Sequence, residues 1–215
     1  MLPSHRLWLE LADDVAQVTL DILADAPPLH TERGLADPRA LALMLTARSL
    51  SHHRGTIDLI NGGLIVEARI LVRSCLENAF WIAALAEEGE VFVKRILRDE
   101  FRSQKARGEE IFSLDLELVK EAEKRLRDRL GAIKKQWGDA RFLNPKDVAH
   151  SGALRSNYLL YLQLSAAAAH PSLSALRRYA GRSSDSSETI VEVVPEPSFE
   201  ETSTTWDWAI MRCYV

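Results

Sequence analysis

The stretch that decides the fold spans residues 62–88 and reads GGLIVEARILVRSCLENAFWIAALAEE. An Asn-Gly-Gly breaker occupies residues 61–63, and residues 64–85 contain neither Pro nor Gly but many good helix formers. Apolar residues cover most of the circumference of the helix that this pattern predicts, which is typical of a helix buried inside a larger protein. The charged residues in its middle disfavour a membrane span, because charges there are expensive in lipid.

The few polar residues of this central helix are spaced helically. Arg69, Arg73 and Glu77 follow one another at i, i+4 and i+8 and therefore share one stripe. Because an unpaired charge in a protein interior is costly, these side chains need partners. One interpretation is that Arg73 and Glu77 pair with each other and with neighbouring helices as structural ties. The other is that they face a polar pocket within the bundle.

The preceding helix, predicted over residues 38–60, carries a second group of candidates. Asp37 is a good N-cap for it, and its centre contains Arg48, His52 and His53. Helices joined by a short turn pack antiparallel, so one alternative is that His52 or His53 faces the Arg73 stripe. The other is that both are partly exposed histidines near a helix end.

A later stretch, residues 154–170 (LRSNYLLYLQLSAAAAH), predicts a further helix. Asn157, Tyr161 and Ser165 recur in it at i, i+4 and i+8, hence on one stripe. Three of its apolar residues are expected to pack inward: Leu159, Leu162 and Ala166.

His170 closes this polar series. Pro171 is expected to end the helix, which places His170 at or near the C-terminus, where the helix dipole favours a charged imidazole. His170 is therefore either a C-terminal helix cap or a residue of a pocket. A site forms here only if this helix and the central helix lean together with their polar stripes facing.

Periodicity along the rest of the chain predicts an all-α protein. We expect an up-and-down helical bundle with a projecting charged helical hairpin and at most one short β element near the C-terminus. Residues 1–215 are expected to form a single helical domain. Its predicted parts are a core bundle over about 38–88 and 144–180, a charged hairpin over 90–137 whose second helix opens at Ser113, and a C-terminal strand (189–194) and helix within 189–215.

Composition limits the classes of function. The formal charge of −4 exerts no global attraction on nucleic acid or on anionic membrane. Two distant cysteines, and a start without a signal-peptide pattern, favour a cytoplasmic location. There is no Gly-rich phosphate loop and no metal-ligand spacing, so neither a cofactor nor a metal is expected.

Two motifs carry a family resemblance. LVRSCLENAFWI, with Arg73 and Glu77, and YLLYLQLSAAAAHPS, with Tyr161, Ser165 and His170, resemble a bacterial family of all-helical proteins of unknown function. That family is broadly similar to the HEPN (higher eukaryotes and prokaryotes nucleotide-binding) superfamily, and the resemblance covers about residues 40–180. It implies a helical bundle, a homodimer and, as in some HEPN relatives, metal-independent RNA cleavage.

The sequence departs from the HEPN nuclease pattern, in which four to six residues separate an Arg from a following His near the start of a late helix. His170 has no such Arg before it, and the only matching spacing is Arg48 with His53 in an early helix.

Two functions follow from these residues. The first is a binding or interaction module, in phage defence or a toxin–antitoxin pair, with a polar cleft lined by Arg73, Glu77, Tyr161 and His170. Its further binding candidates are Arg69, His52, Asn157 and Ser165.

The alternative is a HEPN-type ribonuclease, in which His170 or His53 acts as acid or base and Arg73 or Arg48 stabilises phosphorane charge. It requires a His and an Arg together in an open positive groove, whereas a module would have Arg73 closed off by Glu77. The expected partners are a second copy of the chain and either RNA or a partner protein, without a membrane.

Overall fold

The bundle is built around a central pair of long helices. The computed structural model describes residues 3–114, 120–137, 142–169, 173–176, 179–182, 191–193, 204–206 and 208–209. The α-helices are Pro3–Asp25 (α1), Pro38–Asn61 (α2), Ile65–Glu88 (α3), Glu90–Ser113 (α4), Lys120–Trp137 (α5), Pro145–Ser151 (α6), Tyr158–Leu164 (α7) and Leu173–Leu176 (α8). Short 3-10 turns cover Gly34–Ala36 and Arg155–Asn157, and a π-helical turn covers Ser165–Ala169. The predicted all-α class is confirmed.

The start of α2 and the turn that joins it to α3 are both well specified by the sequence. Asp37 Oδ1 accepts from the backbone N–H of Arg39 at 2.8 Å, so α2 begins at the predicted cap. Between the helices, Gly63 takes a φ of 76°, in the left-handed region that favours glycine. The two helices then run antiparallel, with Asn78 of α3 donating to Ser49 of α2 at 3.1 Å.

The core is centred on α3, which packs against α2, α4, α6 and α7. Val72, Leu76 and Phe80 lie on its inward face and are fully buried. Burial of these side chains, each worth about 1.5–3 kcal/mol, makes α3 the element that fixes its neighbours. The polar stripe of α3 is therefore held on a rigid support.

The charged hairpin differs from the prediction at its turn. Ser113 ends α4 instead of opening the second helix, and α5 is described from Lys120. The predicted start of α5 within residues 115–119 lies outside the described residues. Helix α4 extends this far because no Pro interrupts it, and Ser113 Oγ donates to the carbonyl of Glu110 in its last turn.

The predicted β element at residues 189–194 has a partner that the sequence did not indicate. Val191–Val193 (β2) pairs antiparallel with Ala180–Arg182 (β1), with Gly181 opposite Glu192. A strand needs a neighbour for its backbone N–H and C=O groups, and here that neighbour lies at the start of a polar, Ser-rich stretch that reads as a loop.

The late helix also departs from the prediction, because it passes through 3-10, α and π geometry in turn. Leu159 and Leu162 were expected inward but are 65% and 46% exposed, while Leu160 and Leu164 are buried. Ala166, also expected inward, is exposed. The helix turns its Leu160–Leu164 face to the core because that rotation buries the Tyr161 ring as well and brings its hydroxyl to a partner.

The C-terminal residues that the structure describes pack against the core of the bundle. Residues 204–206 and 208–209 are helical, and Trp206 is 2% exposed. The predicted C-terminal helix is otherwise outside the described residues.

Candidate functional site

The polar stripes of α3 and of the late helix meet. Arg73 Nη2 donates to Glu77 Oε1 at 2.8 Å and to the Tyr161 hydroxyl at 2.6 Å. Arg73 Nε donates to Ser165 Oγ at 2.9 Å, and the Tyr161 hydroxyl donates to Glu77 Oε1 at 2.9 Å. Arg73, Glu77, Tyr161 and Ser165, called here the polar cluster, thus form one closed network.

Local sequence explains the network. Arg73 and Glu77 are i, i+4 neighbours on α3, and Tyr161 and Ser165 have the same spacing across the end of α7. The Tyr161 ring is held in place by an edge contact with Phe80, whose ring centre lies 6.1 Å away, and by stacking on Tyr158 at 5.7 Å. The hydroxyl therefore reaches the ion pair from a fixed direction.

Ser165 adds a second geometry to the site. It is the first residue of the π-helical turn Ser165–Ala169, and single π turns are frequent at functional sites. The sequence did not indicate this turn, since four alanines in succession favour an ordinary α-helix.

The polar cluster is paired and also open to solvent. The side chains of Arg73 and Glu77 are 22% and 31% exposed. Arg73 Nη1 and Glu77 Oε2 make no hydrogen bond to any residue that the structure describes. The two interpretations of the sequence are therefore compatible, because the ion pair ties two helices and still presents a free donor and a free acceptor.

The phenol of Tyr161 is kept protonated. Burial raises its pKa, and the negative charge of Glu77 raises it further, while Arg73 acts in the opposite direction. At neutral pH the hydroxyl can therefore donate to Glu77 while it accepts from Arg73.

The histidines of α2 lie elsewhere. His53 is 2% exposed, and its Nε2 lies 3.0 Å from the carbonyl oxygen of Ala12 on α1. It is therefore neither partly exposed nor directed at Arg73, with which it forms no hydrogen bond. Burial lowers its pKa, which favours the neutral ring. His52 is half-buried, and its Nδ1 has no hydrogen-bond partner in the described part of the chain.

The other predicted site residues do not belong to the polar cluster. Arg69 is 4% exposed, its Nε donates to Thr205 Oγ1 at 2.9 Å, and its guanidinium lies 5.0 Å from the centre of the Trp208 ring. It therefore anchors the C-terminal residues to α3. Asn157 lies in the 3-10 turn before α7, where its Oδ1 accepts from Ser156 Oγ at 3.4 Å. His170 lies outside the described residues.

Arg48 is exposed and lines a cavity of about 210 Å³ together with Glu77, Trp81 and Asp99. Trp81 and Asp99 were not among the predicted site residues. No spacing along one helix could have found this set, because it is assembled from three helices.

The described ranges lack the features of two other classes of site. Within them, no three His, Cys, Asp or Glu side chains converge as a metal-binding group would require. Of the helices assigned there, none combines the length and the apolar character that crossing a bilayer demands.

The fold and the site thus define an all-α protein with a polar cluster between two core helices. Residues 39–187 match the model of a family of unknown function, DUF5677. Because this match covers more than half of the chain, the protein belongs to that family. No curated protein and no solved structure matches the chain. The family match bears out the expectation of an uncharacterised family and carries no link to the HEPN superfamily.

Proposed function

We propose that this protein is a binding module without catalytic activity, and that the polar cluster is its recognition site. The observation that carries the proposal is that the ion pair keeps one hydrogen-bond donor and one acceptor without a partner among the described residues. Arg73 donates through Nε and Nη2, which leaves Nη1 as a free donor. In the same ion pair, Glu77 accepts through Oε1, which leaves Oε2 as a free acceptor. A guanidinium fixed at three hydrogen bonds is preorganised to bind, so little side-chain entropy is lost.

The chemistry of the cluster favours a protein partner over RNA. Glu77 compensates the charge of Arg73 at 2.8 Å, so the site offers no net positive charge to a phosphate. A peptide group presents a C=O and an N–H side by side and can bond both Arg73 Nη1 and Glu77 Oε2. A phosphate at neutral pH presents acceptors alone.

The HEPN-type ribonuclease has less support. Such an enzyme needs an Arg and a His together in an open groove, but Arg73 is closed on one side by Glu77 and Tyr161. His53 is buried against α1, and His170 enters the proposed cleft by sequence position alone. Arg48 and His53 are on one helix, but Arg48 is exposed while His53 is directed at α1.

The wider setting of the proposal follows the sequence. We take residues 1–215 as one helical domain that acts in the cytoplasm, in phage defence or in a toxin–antitoxin pair. A homodimer is part of the proposal. The exposed apolar side chains of Leu159 and Leu162 on α7 support it, because apolar surface of this kind marks interaction sites.

Glu77→Gln is the sharpest test, because it is isosteric. The amide oxygen of Gln can still accept from Arg73 and Tyr161, but an NH₂ replaces Oε2 and turns the free acceptor into a donor. Tagged wild type, Glu77→Gln and the control Arg155→Gln, an exposed guanidinium outside the cluster, are compared in affinity capture from the native cell.

We expect wild type and Arg155→Gln to retain the same partner protein, and Glu77→Gln to lose it by roughly tenfold or more. Equal retention by all three proteins, or no partner with wild type, would overturn the proposal. In parallel, wild type is incubated with mixed RNA in EDTA. Cleavage that disappears in Arg73→Lys would establish the ribonuclease instead.

A further inference from the structure

A cavity beside the polar cluster has the composition of a small-molecule site. It measures about 210 Å³ and lies between α2, α3, α4 and the segment before α6. Its polar side chains are Arg48, Glu77, Asn78 and Asp99. Because ligand pockets for drug-sized molecules measure about 300–1,000 Å³, a cavity of this size fits a smaller ligand.

Asn78 provides the most specific polar atom of this cavity. It is 3% exposed, and its Nδ2 donates to Ser49 Oγ at 3.1 Å. The Ser49 hydroxyl already donates to the carbonyl of Leu45 at 2.9 Å, so it can only accept from Asn78. The amide orientation is thereby determined, and the Asn78 oxygen is left without a donor among the described residues. An amide oxygen without a protein donor can accept a hydrogen bond from a ligand or from water.

Two carboxylates add acceptors to the same cavity. Glu77 uses Oε1 for Arg73 and Tyr161, which leaves Oε2. Asp99 Oδ1 accepts from the backbone N–H of Leu143 at 2.9 Å, and its other oxygen has no donor in the part of the chain that is described. Three residues that line one cavity thus each have an acceptor oxygen without a donor among the described residues, and this set suits a group with three N–H donors, such as an ammonium.

Arg48 supplies the opposite polarity. Its side chain is exposed, lines the cavity and makes no hydrogen bond or ion pair with any described residue. A guanidinium with all of its donors available binds a carboxylate through two parallel hydrogen bonds. The cavity therefore combines acceptors for a cation with a donor for an anion.

The remaining walls are apolar. Trp81 is fixed by an edge contact with Phe92 at 5.9 Å between ring centres, and Phe142 and Leu45 face the same space. An apolar side chain of a ligand would lose water contact against these three residues.

We infer that this cavity binds a small zwitterion of the α-amino-acid class with an apolar side chain. Its ammonium donates to Asn78 Oδ1, Glu77 and Asp99, and its carboxylate accepts from Arg48. The side chain packs on Trp81. This site shares Glu77 with the proposed partner site but does not depend on a partner, so either proposal can fail alone.

The test is isothermal titration calorimetry on the full chain with L-leucine and with its two half-molecules. Isoamylamine keeps the ammonium and the side chain, and isocaproate keeps the carboxylate and the side chain. We expect L-leucine to bind with a Kd of about 1 mM or tighter and at least about tenfold more tightly than either half-molecule, as two charge-assisted contacts require.

Variants assign the contacts. Arg48→Gln should weaken the binding of L-leucine and of isocaproate by about tenfold and leave the binding of isoamylamine unchanged. Asp99→Asn should weaken the binding of L-leucine and of isoamylamine. Arg54→Gln is the matched control, an exposed Arg on the same helix that lines a different cavity. Thermal melting checks that each variant is folded.

No heat with wild type up to about 10 mM L-leucine, or equal affinity in Arg48→Gln and wild type, would overturn the inference. Arg48→Gln should also retain the partner captured by the wild type, because it lies outside the polar cluster. Loss of that partner would show that the two sites are one.

Discussion

Tyr161 and Arg73 are separated by 88 residues in the chain, yet the Tyr161 hydroxyl lies 2.6 Å from Arg73 Nη2. The same hydroxyl donates to Glu77 Oε1 at 2.9 Å, so a phenol closes the ion pair of another helix. This contact joins α7 to the core helix α3 through hydrogen bonds in addition to apolar packing.

Removing the phenol oxygen should measure this tie. Tyr161→Phe keeps the ring and its packing but deletes one donated and one accepted hydrogen bond. Because Arg73 and Glu77 still bond each other and are partly exposed, we expect the free energy of unfolding to fall by about 1 kcal/mol in urea titration. Tyr158→Phe is the control, because the Tyr158 ring stacks on Tyr161 but its hydroxyl makes no hydrogen bond to a described residue. This change should shift the free energy of unfolding by less than about 0.5 kcal/mol. Equal effects would argue against the tie.

The raised pKa of Tyr161 predicts a loss of stability at high pH. Its pKa in the folded state lies above the ordinary value of 10.0, because burial and then the Glu77 charge disfavour the phenolate. The unfolded chain releases this proton first, so the stabilisation is complete below about pH 10 and is lost as the pH rises through the folded-state pKa. Above about pH 10, the free energy of unfolding measured in urea should therefore decrease more for wild type than for Tyr161→Phe. A difference independent of pH would contradict the shift.

His53 predicts the opposite dependence at low pH. Burial lowers its pKa below the ordinary value of 6.5, while the Ala12 carbonyl and Asp13 oppose this and Arg54 adds to it. The unfolded chain binds the proton more tightly, so the stability is complete above about pH 6.5 and decreases as the pH falls towards the folded-state pKa. His53→Gln, whose amide can still donate to the Ala12 carbonyl, should flatten this decrease.

His150→Gln, at an exposed position, is measured beside His53→Gln as a control for the exchange of histidine for glutamine. Unfolding free energies at about pH 7 and about pH 5 are sufficient. If His53→Gln retained the full acid-dependent loss, another group would have to be responsible.

Gly152 predicts where added volume is not tolerated. A Cβ at this position would lie 2.7 Å from Ala83 Cβ and 3.0 Å from the Ala83 backbone carbon, so α6 could not end this close to α3. Gly152→Ala should therefore cost about 1–3 kcal/mol of unfolding free energy.

Gly131 is the matched control on α5, because an added Cβ there meets no atom within 4 Å. Gly131→Ala should be neutral or stabilise by up to about 1 kcal/mol, since it lowers the entropy of the unfolded chain. Similar destabilisation by both substitutions would show that the close approach at Ala83 is not the cause.

Much of the site was predictable because helical spacing is local. The i, i+4 pairs Arg73 with Glu77 and Tyr161 with Ser165 each had to share a face, and charges on a largely buried helix had to find partners. The fold class and the helix start at Asp37 follow from equally local signals.

What escaped prediction depends on contacts between distant segments. The rotation of α7 could not be read from its sequence, since Leu159 and Leu162 are as apolar as Leu160 and Leu164. The burial of His53 depends on α1, and the partner of Arg69 lies 136 residues further along the chain. Packing, and not propensity, decides such questions.

The junction between α7 and the π-helical turn divides the attachment of Arg73 into two unequal parts. Tyr161 holds the guanidinium from regular helix, whereas Ser165 holds it from the wider, weaker turn. If the turn opened, the hydrogen bond from Arg73 Nε to Ser165 would be lost and the Nε donor would become free. Glu77 and Tyr161 would still hold the orientation of the side chain. Arg73 can thus expose one more hydrogen-bond donor while its contacts with Glu77 and Tyr161 are kept.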